Sequence, residues 1–206
     1  VVRTRLAVGN GQVAITVEEV ALPSGHRLDG LVYPSRFGAL VTGELGYLVV
    51  PERSGLIIPS HFHSRIGGEF WRMDDAYRQS SREGRELAYF GSLFLNFFAV
   101  QKGDAGLTFV CEDAHDARLL VFANTRGNRY SLQEGKWTMP DPIAAFSSVW
   151  LGSLGGLGYP RSLAISPHGK GGYVESCQIY RRWLDTRSWT RTLEDKIKQN
   201  PDREKL

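Results

Sequence analysis

The chain has 206 residues, 42% of them hydrophobic, with 25 basic and 22 acidic side chains and a net charge of +3. That length suits one large domain able to bury on the order of 70% of its unfolded surface. The basic residues are dispersed rather than gathered on the face that ~6–10 phosphate contacts would need, which argues against nucleic acid as a partner; no apolar run approaches the ~18–20 residues of a membrane span, so no membrane partner is expected either.

The first residue is Val rather than Met, read as the mark of a processed, excised or trimmed chain. Arg3–Val8 and Gln12–Val17 are strand-like and flank Gly9-Asn10-Gly11, the Asn-Gly signal of a tight hairpin. After a loop at Ser24-Gly25, the stretch from Gly30 to about Thr42 is expected to be irregular. Tyr47–Val50 and Leu56–Ile58 predict a second hairpin, whose prolines at 51 and 59 mark strand ends because proline cannot donate to a ladder. Between Arg65 and Gly91 the composition turns polar, and a long surface excursion with a short helix at Asp74–Arg82 is expected.

Ser92–Val100 predicts a strongly apolar strand that turns at Lys102–Gly106 into the segment around which the chain is organised. There, Leu107–Cys111 and Leu119–Ala123 are short, rich in β-branched and aromatic residues, and separated by the charged corner Glu112–Asp116. The pattern predicts a β-hairpin, and with the preceding strand a meander. Leu107, Phe109 and Cys111 share one face, whereas Leu119–Phe122 is apolar on both faces and suits a strand covered on both sides. Short strands follow at Tyr130–Leu132, Lys136–Met139 and Ala144–Leu151. Gly152–Gly158 is glycine-rich but lacks the lysine and framing of a phosphate loop.

The end of the chain differs in kind. Val174, Cys177, Tyr180 and Leu184 recur with helical spacing, predicting a helix over Tyr173–Leu184. Thr192 opens a second helix with Leu193 and Ile197 on one face, stopped by Pro201, and Asp202–Leu206 is expected to fray. The fold expected is mainly β, an antiparallel two-layer β-supersandwich with C-terminal helices, divided as a sandwich domain (1–172) and a helical segment packed on it (173–206). Cys111 and Cys177 could pair, but a buried thiol in a strand and another in a helix is the preferred reading. They leave the compartment open, with an extracellular or periplasmic setting favoured.

Three phrases, Gly46-Tyr-Leu-Val-Val-Pro-Glu-Arg-Ser-Gly55, Gly106-Leu-Thr-Phe-Val-Cys-Glu-Asp113 and Tyr180-Arg-Arg-Trp183 followed by Trp189, resemble the N-terminal domain of bacterial glycoside-hydrolase-like proteins. Those proteins are similar to the α-galactosidase and endo-α-N-acetylgalactosaminidase groups, and the resemblance covers most of residues 46–190. It implies a galactose-mutarotase-like β-supersandwich joined through a helix to a (β/α)8 catalytic domain as partner. It carries over no catalytic residue, because none of the barrel motifs has a counterpart here.

Candidate chemistry is sparse. Glycoside hydrolysis takes two carboxyls ~5–9.5 Å apart. Adjacent Glu112 and Asp113 diverge on a strand, leaving only Asp113 and Asp116 across the corner, for which a turn satisfying backbone donors is the preferred reading. His61 and His63 share a strand face but find no third metal ligand nearby in the sequence; His115 or Asp113 could be brought in by folding, yet polar surface histidines are the preferred reading. No metal or cofactor is expected. Trp71 and Tyr77, in the polar excursion, are the aromatic platforms expected to meet carbohydrate, with Asp113, His115 and Asp116 as polar neighbours. Trp137 is a further candidate platform for which a place in the core is preferred, and Trp183 and Trp189 are assigned to packing the terminal helices onto the sheet or onto a neighbouring barrel. The leading expectation is a non-catalytic domain of a glycoside hydrolase. A stand-alone carbohydrate-binding module and a mutarotase-like epimerase using His115 or His63 are the alternatives.

Overall fold

The computed structural model describes residues 1–35, 37–40, 44–52, 55–59, 85–89, 93–123, 144–187 and 193–199. Its strands are β1 (Val2–Gly9), β2 (Gln12–Val20), β3 (Gly30–Val32), β4 (Phe37–Leu40), β5 (Gly46–Val50), β6 (Leu56–Pro59), β7 (Arg85–Ala88), β8 (Phe97–Lys102), β9 (Ala105–Cys111), β10 (Ala117–Ala123), β11 (Ala144–Leu151) and β12 (Arg161–His168). Two helices follow, α1 (Gly172–Thr186) and α2 (Leu193–Gln199). Among the described residues the strands form two antiparallel sheets. A seven-stranded sheet has the order β1-β2-β12-β9-β8-β5-β6; a smaller one has the order β3-β11-β10-β7, with β4 also paired to β11. The expected β-sandwich with C-terminal helices is therefore observed.

The first hairpin forms where the Asn-Gly signal puts it. Gly9 pairs with Gln12, and Asn10 and Gly11 adopt positive φ of 51° and 71°. These are the left-handed conformations that match a two-residue turn to the twist of its strands. The β5–β6 hairpin also falls where expected.

The predicted hairpin around Glu112–Asp116 does not form. β9 pairs with β8 and β12 in the large sheet, and β10 pairs with β7 and β11 in the small one, so the corner carries the chain from one layer to the other. Both runs are strands, as their composition requires, but composition does not say which neighbour completes each ladder. The predicted meander is thus limited to β8 and β9. Its first strand starts at Phe97 rather than Ser92, after a bend in which Phe94 is 65% exposed.

Three further differences concern strand positions. The stretch after Gly30 is not irregular but contains β3 and β4, and β7 lies inside the predicted polar excursion. β12, to which the sequence pattern assigns no element, is an interior strand of the large sheet, between β2 and the central β9. The predicted helix at Asp74–Arg82, the strands at Tyr130–Leu132 and Lys136–Met139, and Trp137 lie outside the described residues, as does Trp189.

The core lies between the layers. Phe98, Phe109, Leu163 and Leu48 of the large sheet face Leu119, Val121, Phe146 and Trp150 of the small one. The ring of Phe98 stacks on Phe109 at 4.7 Å and meets Phe146 edge-on at 4.8 Å. A second, smaller core covers the outer face of the large sheet, where Phe97, Val110 and Ala164 receive Tyr180 and Trp183 of α1, flanked by Leu184. The buried stripe of α1 is Gly172, Ser176, Ile179, Tyr180 and Trp183. It is rotated from the predicted Val174, Cys177, Tyr180, Leu184 face: Val174 is 49% exposed and Cys177 is exposed too. The sequence pattern favours the more apolar stripe, whereas the sheet accepts the one carrying two large aromatic rings.

Both cysteines are free, Cys111 buried in β9 and Cys177 exposed on α1. Burial pushes the Cys111 thiol well above its ordinary range.

Candidate functional site

The corner between β9 and β10 holds the candidate polar residues. Ala114 and Ala117, 4% and 3% exposed, anchor it to the core, and a single 3-10 turn, Ala114–Asp116, reverses the chain between them. The Glu112 amide donates to Ser162 O (2.9 Å), and the Ser162 amide donates to Asp113 Oδ2 (2.7 Å), so this corner extends the β9–β12 ladder by one reciprocal step. Asp113 thus satisfies a backbone donor, but one 49 positions away on β12 rather than within its own turn, where it makes no cap bond, so the expected Asx-type turn does not form.

Each acid has a different partner. Glu112 Oε1 accepts from Trp183 Nε1 (3.2 Å) and from the Arg187 guanidinium, tying the corner to α1. Asp116 Oδ2 accepts from the Tyr159 hydroxyl (2.7 Å) and from Arg161 Nη2 (3.2 Å). Arg161 is fully buried; its Nη1 donates to Tyr159 O (2.9 Å) and its guanidinium carbon lies 3.3 Å from the Tyr159 ring centroid. His115 is exposed on the turn. Asp113, His115 and Asp116 are thus brought together on one corner. Trp71 and Tyr77, like His61 and His63, lie outside the described residues.

Burial raises the Asp113 carboxyl above its ordinary value of 3.8. The Ser162 amide and the Arg161 charge pull it down, Glu112 pushes it up, and Arg187 pulls it down again. The folded chain therefore holds this proton more readily than the unfolded chain. The Asp113 contribution to stability rises as pH falls through the raised folded value and is lost as pH climbs above it. Asp113→Asn, whose amide oxygen still accepts from Ser162, removes this dependence. Urea unfolding of both proteins across a pH series is expected to show equal stability in acid and an advantage for the variant toward neutral pH. A difference that stays constant with pH overturns this.

A second constellation, invisible in the sequence pattern, joins the end of β12 to the start of α1. His168 Nε2 lies 3.1 Å from Ser176 Oγ, and His168 Nδ1 lies 4.0 Å from Glu175 Oε2. The residue types are those of a nucleophile relay, but Ser176 is 1% exposed and its hydroxyl is within 3.3 Å of Gly172 O. That oxygen is buried and held within the chain, so the cluster ties the end of β12 to the start of α1. Tyr47 Oη completes it by accepting from the Tyr173 amide (3.1 Å) at the uncapped start of α1. Gly106 is required beneath it, since a Cβ there would lie 2.1 Å from His168 Cε1.

Sequence reasoning missed Tyr159, Arg161, His168 and Ser176. The alternation of Leu163, Ala164, Ile165 and Ser166 between Pro160 and Gly169 was the signal available for β12, and with it for Arg161 and His168 at its two ends.

No family model and no curated protein matches the sequence. Solved structures do match in fold. The α-N-acetylgalactosaminidase NagBb from Bifidobacterium bifidum in its GalNAc complex superposes with a TM-score of 0.69 at 18% identity, over 97% of this chain and 28% of that one. Its Gal-NHAc-DNJ complex gives 0.69 at 17% identity, and its ligand-free form gives 0.66 at 20%, with the same coverage. The chain therefore spans little more than a quarter of the length of the glycosidase on part of which it superposes.

Proposed function

We propose that this chain is a non-catalytic β-sandwich domain of a carbohydrate-active glycoside hydrolase, lending structural support to a neighbouring (β/α)8 catalytic domain. The observation that carries the reading is the asymmetry of the match, which takes in 97% of this chain and 28% of a glycosidase chain. It is supported by the use of the corner acids, each of which is engaged by groups of its own chain. Glycoside hydrolysis takes a pair of carboxyls set across a bond to be cleaved. The carbohydrate contacts belonging to this reading are Trp71, Tyr77, Asp113, His115 and Asp116, of which His115 and Asp116 form the solvent-facing side of the corner.

Two measurements test it. The purified chain, folded by circular dichroism, is expected to release no nitrophenol from aryl α- or β-glycosides, including the α-N-acetylgalactosaminide. Turnover on the order of 1–10³ s⁻¹ overturns the proposal. The reading frame that encodes the chain is expected also to encode a barrel-sized catalytic segment, and a frame without one overturns it equally.

A further inference from the structure

We propose that β1 is a self-pairing edge through which two copies of this chain form a symmetric dimer, joined antiparallel about a twofold axis at Leu6. The inference rests on the fold alone. Among the described residues the large sheet has two unlike edges. At one, β6 is four residues long and ends in Pro59, a common way of blunting an edge. At the other, β1 is eight residues long and every one of them is exposed. Natural sheets rarely leave such an edge open, because its outward N–H and C=O groups are a template for another strand.

Those groups can be assigned. Gly9 and Gln12 flank a two-residue turn and so exchange both ladder bonds, after which bonded and non-bonded pairs alternate. The odd residues of β1 therefore bond to β2, and the same parity returns at the far end, where Val1 and Ala21 exchange bonds of 2.9 and 2.8 Å. The bulge between them adds its extra residue, Glu18, to β2 and leaves the parity of β1 unchanged. Thr4, Leu6 and Val8 consequently turn their N–H and C=O groups away from the sheet.

The side chains of the same residues continue the buried face. Leu6 pairs with Ile15 and Val8 with Val13, yet Ile15 is 8% exposed while Leu6 and Val8 are 65% and 82% exposed. The small sheet thus ends over β2, and β1 overhangs it as an apolar shelf. On the opposite face Arg3 and Arg5 are paired with Glu18 and Glu19 of their own chain.

Charge rules out one register, the matching of all three outward residues favours another, and the self-complementarity of that register fits a second copy of the chain. Residues directly opposite each other share a face, so the axis must pass through a residue. Through Arg5 it would set that arginine against its own copy, a destabilising like-charge pair. Through Leu6 it sets Leu6 on Leu6, Thr4 on Val8 and Arg5 on Ala7 of the second copy. All the outward groups of Thr4, Leu6 and Val8 are then matched in about six hydrogen bonds, and the two shelves abut side by side on one face, Leu6 against Leu6.

Sedimentation of the intact chain at tens of micromolar is expected to give twice 23.0 kDa. Leu6→Pro deletes an N–H that β2 does not use, a position where an edge strand tolerates proline. Leu6→Lys places a charge against its own copy. Both are expected to sediment at 23.0 kDa with unchanged circular dichroism. In a Cys177→Ser background, Leu6→Cys is expected to oxidise to a covalent dimer, because opposed bonded residues lie ~5.5 Å apart between Cα atoms, within disulfide reach. Ala7→Cys, which faces Arg5, is expected not to. A wild-type chain that stays at 23.0 kDa, a dimer that survives both folded variants, or no covalent dimer from Leu6→Cys each overturns the proposal.

Discussion

Phe109→Ala is expected to lower the free energy of unfolding by about 3–5 kcal/mol, the range for removing a fully enclosed aromatic ring. Phe109 is 0% exposed, lies at the centre of the large sheet, and stacks face to face with Phe98 at 4.7 Å while meeting Phe37 edge-on at 5.7 Å. Phe98 in turn touches Phe146 across the interface, so one ring belongs to a column that crosses both layers. A double-mutant cycle with Phe98→Leu is expected to show coupling of about 0.5–1.5 kcal/mol beyond simple area loss. Urea unfolding read by tryptophan fluorescence measures both quantities. A single-variant loss below about 1 kcal/mol, the median for ordinary substitutions, overturns the placement of the core.

Trp183→Ala is expected to cost about as much, ~3–5 kcal/mol, but in a different place. Trp183 is 6% exposed, stacks on Tyr180, donates to Glu112 and carries the Arg187 guanidinium 5.2 Å from its ring centroid. It is the largest anchor between α1 and the sheet, and the assignment of this tryptophan to helix packing is borne out. Hydrogen exchange should accelerate across Gly172–Thr186 while the amides of β9 and β12 stay protected. Trp183→Phe keeps the stack and loses only the indole donor, for a cost of about 1 kcal/mol. Uniform acceleration across both sheets in the alanine variant would show that α1 is not a separable layer.

What the sequence reveals about this fold follows from how local each signal is. The β1–β2 hairpin is legible because Asn10-Gly11 fixes both the turn and the register within a few residues. The β5–β6 hairpin is legible for a similar reason. The link from β9 to β10 is misread because two apolar runs around a polar corner look the same whether the corner closes a hairpin or passes between layers. The difference lies in residues far away, Ser162 and Arg161, whose contacts hold the corner open.

β12 is missed because its alternation is carried by small residues, Ala164 and Ser166, and carries a proline near its end. The candidate corner was found from its charges, but not the use of those charges. Nothing near Asp116 announces that a buried arginine 45 positions later will claim it. The buried stripe of α1 is misjudged for a related reason, since a helix read alone shows which face is oily but not which face the sheet is shaped to receive.

The position of β12 also governs when this protein becomes able to fold during synthesis. Ile15 pairs with Leu163, and Leu163 pairs with Cys111, so the N-terminal hairpin reaches the rest of its sheet only through a strand made some 140 residues later. Until Arg161–His168 has left the ribosome, β2 and β9 each present an open flank, and the β1–β2 hairpin has no ladder to the strands around β9, which leaves both flanks exposed to mispairing and chaperone capture.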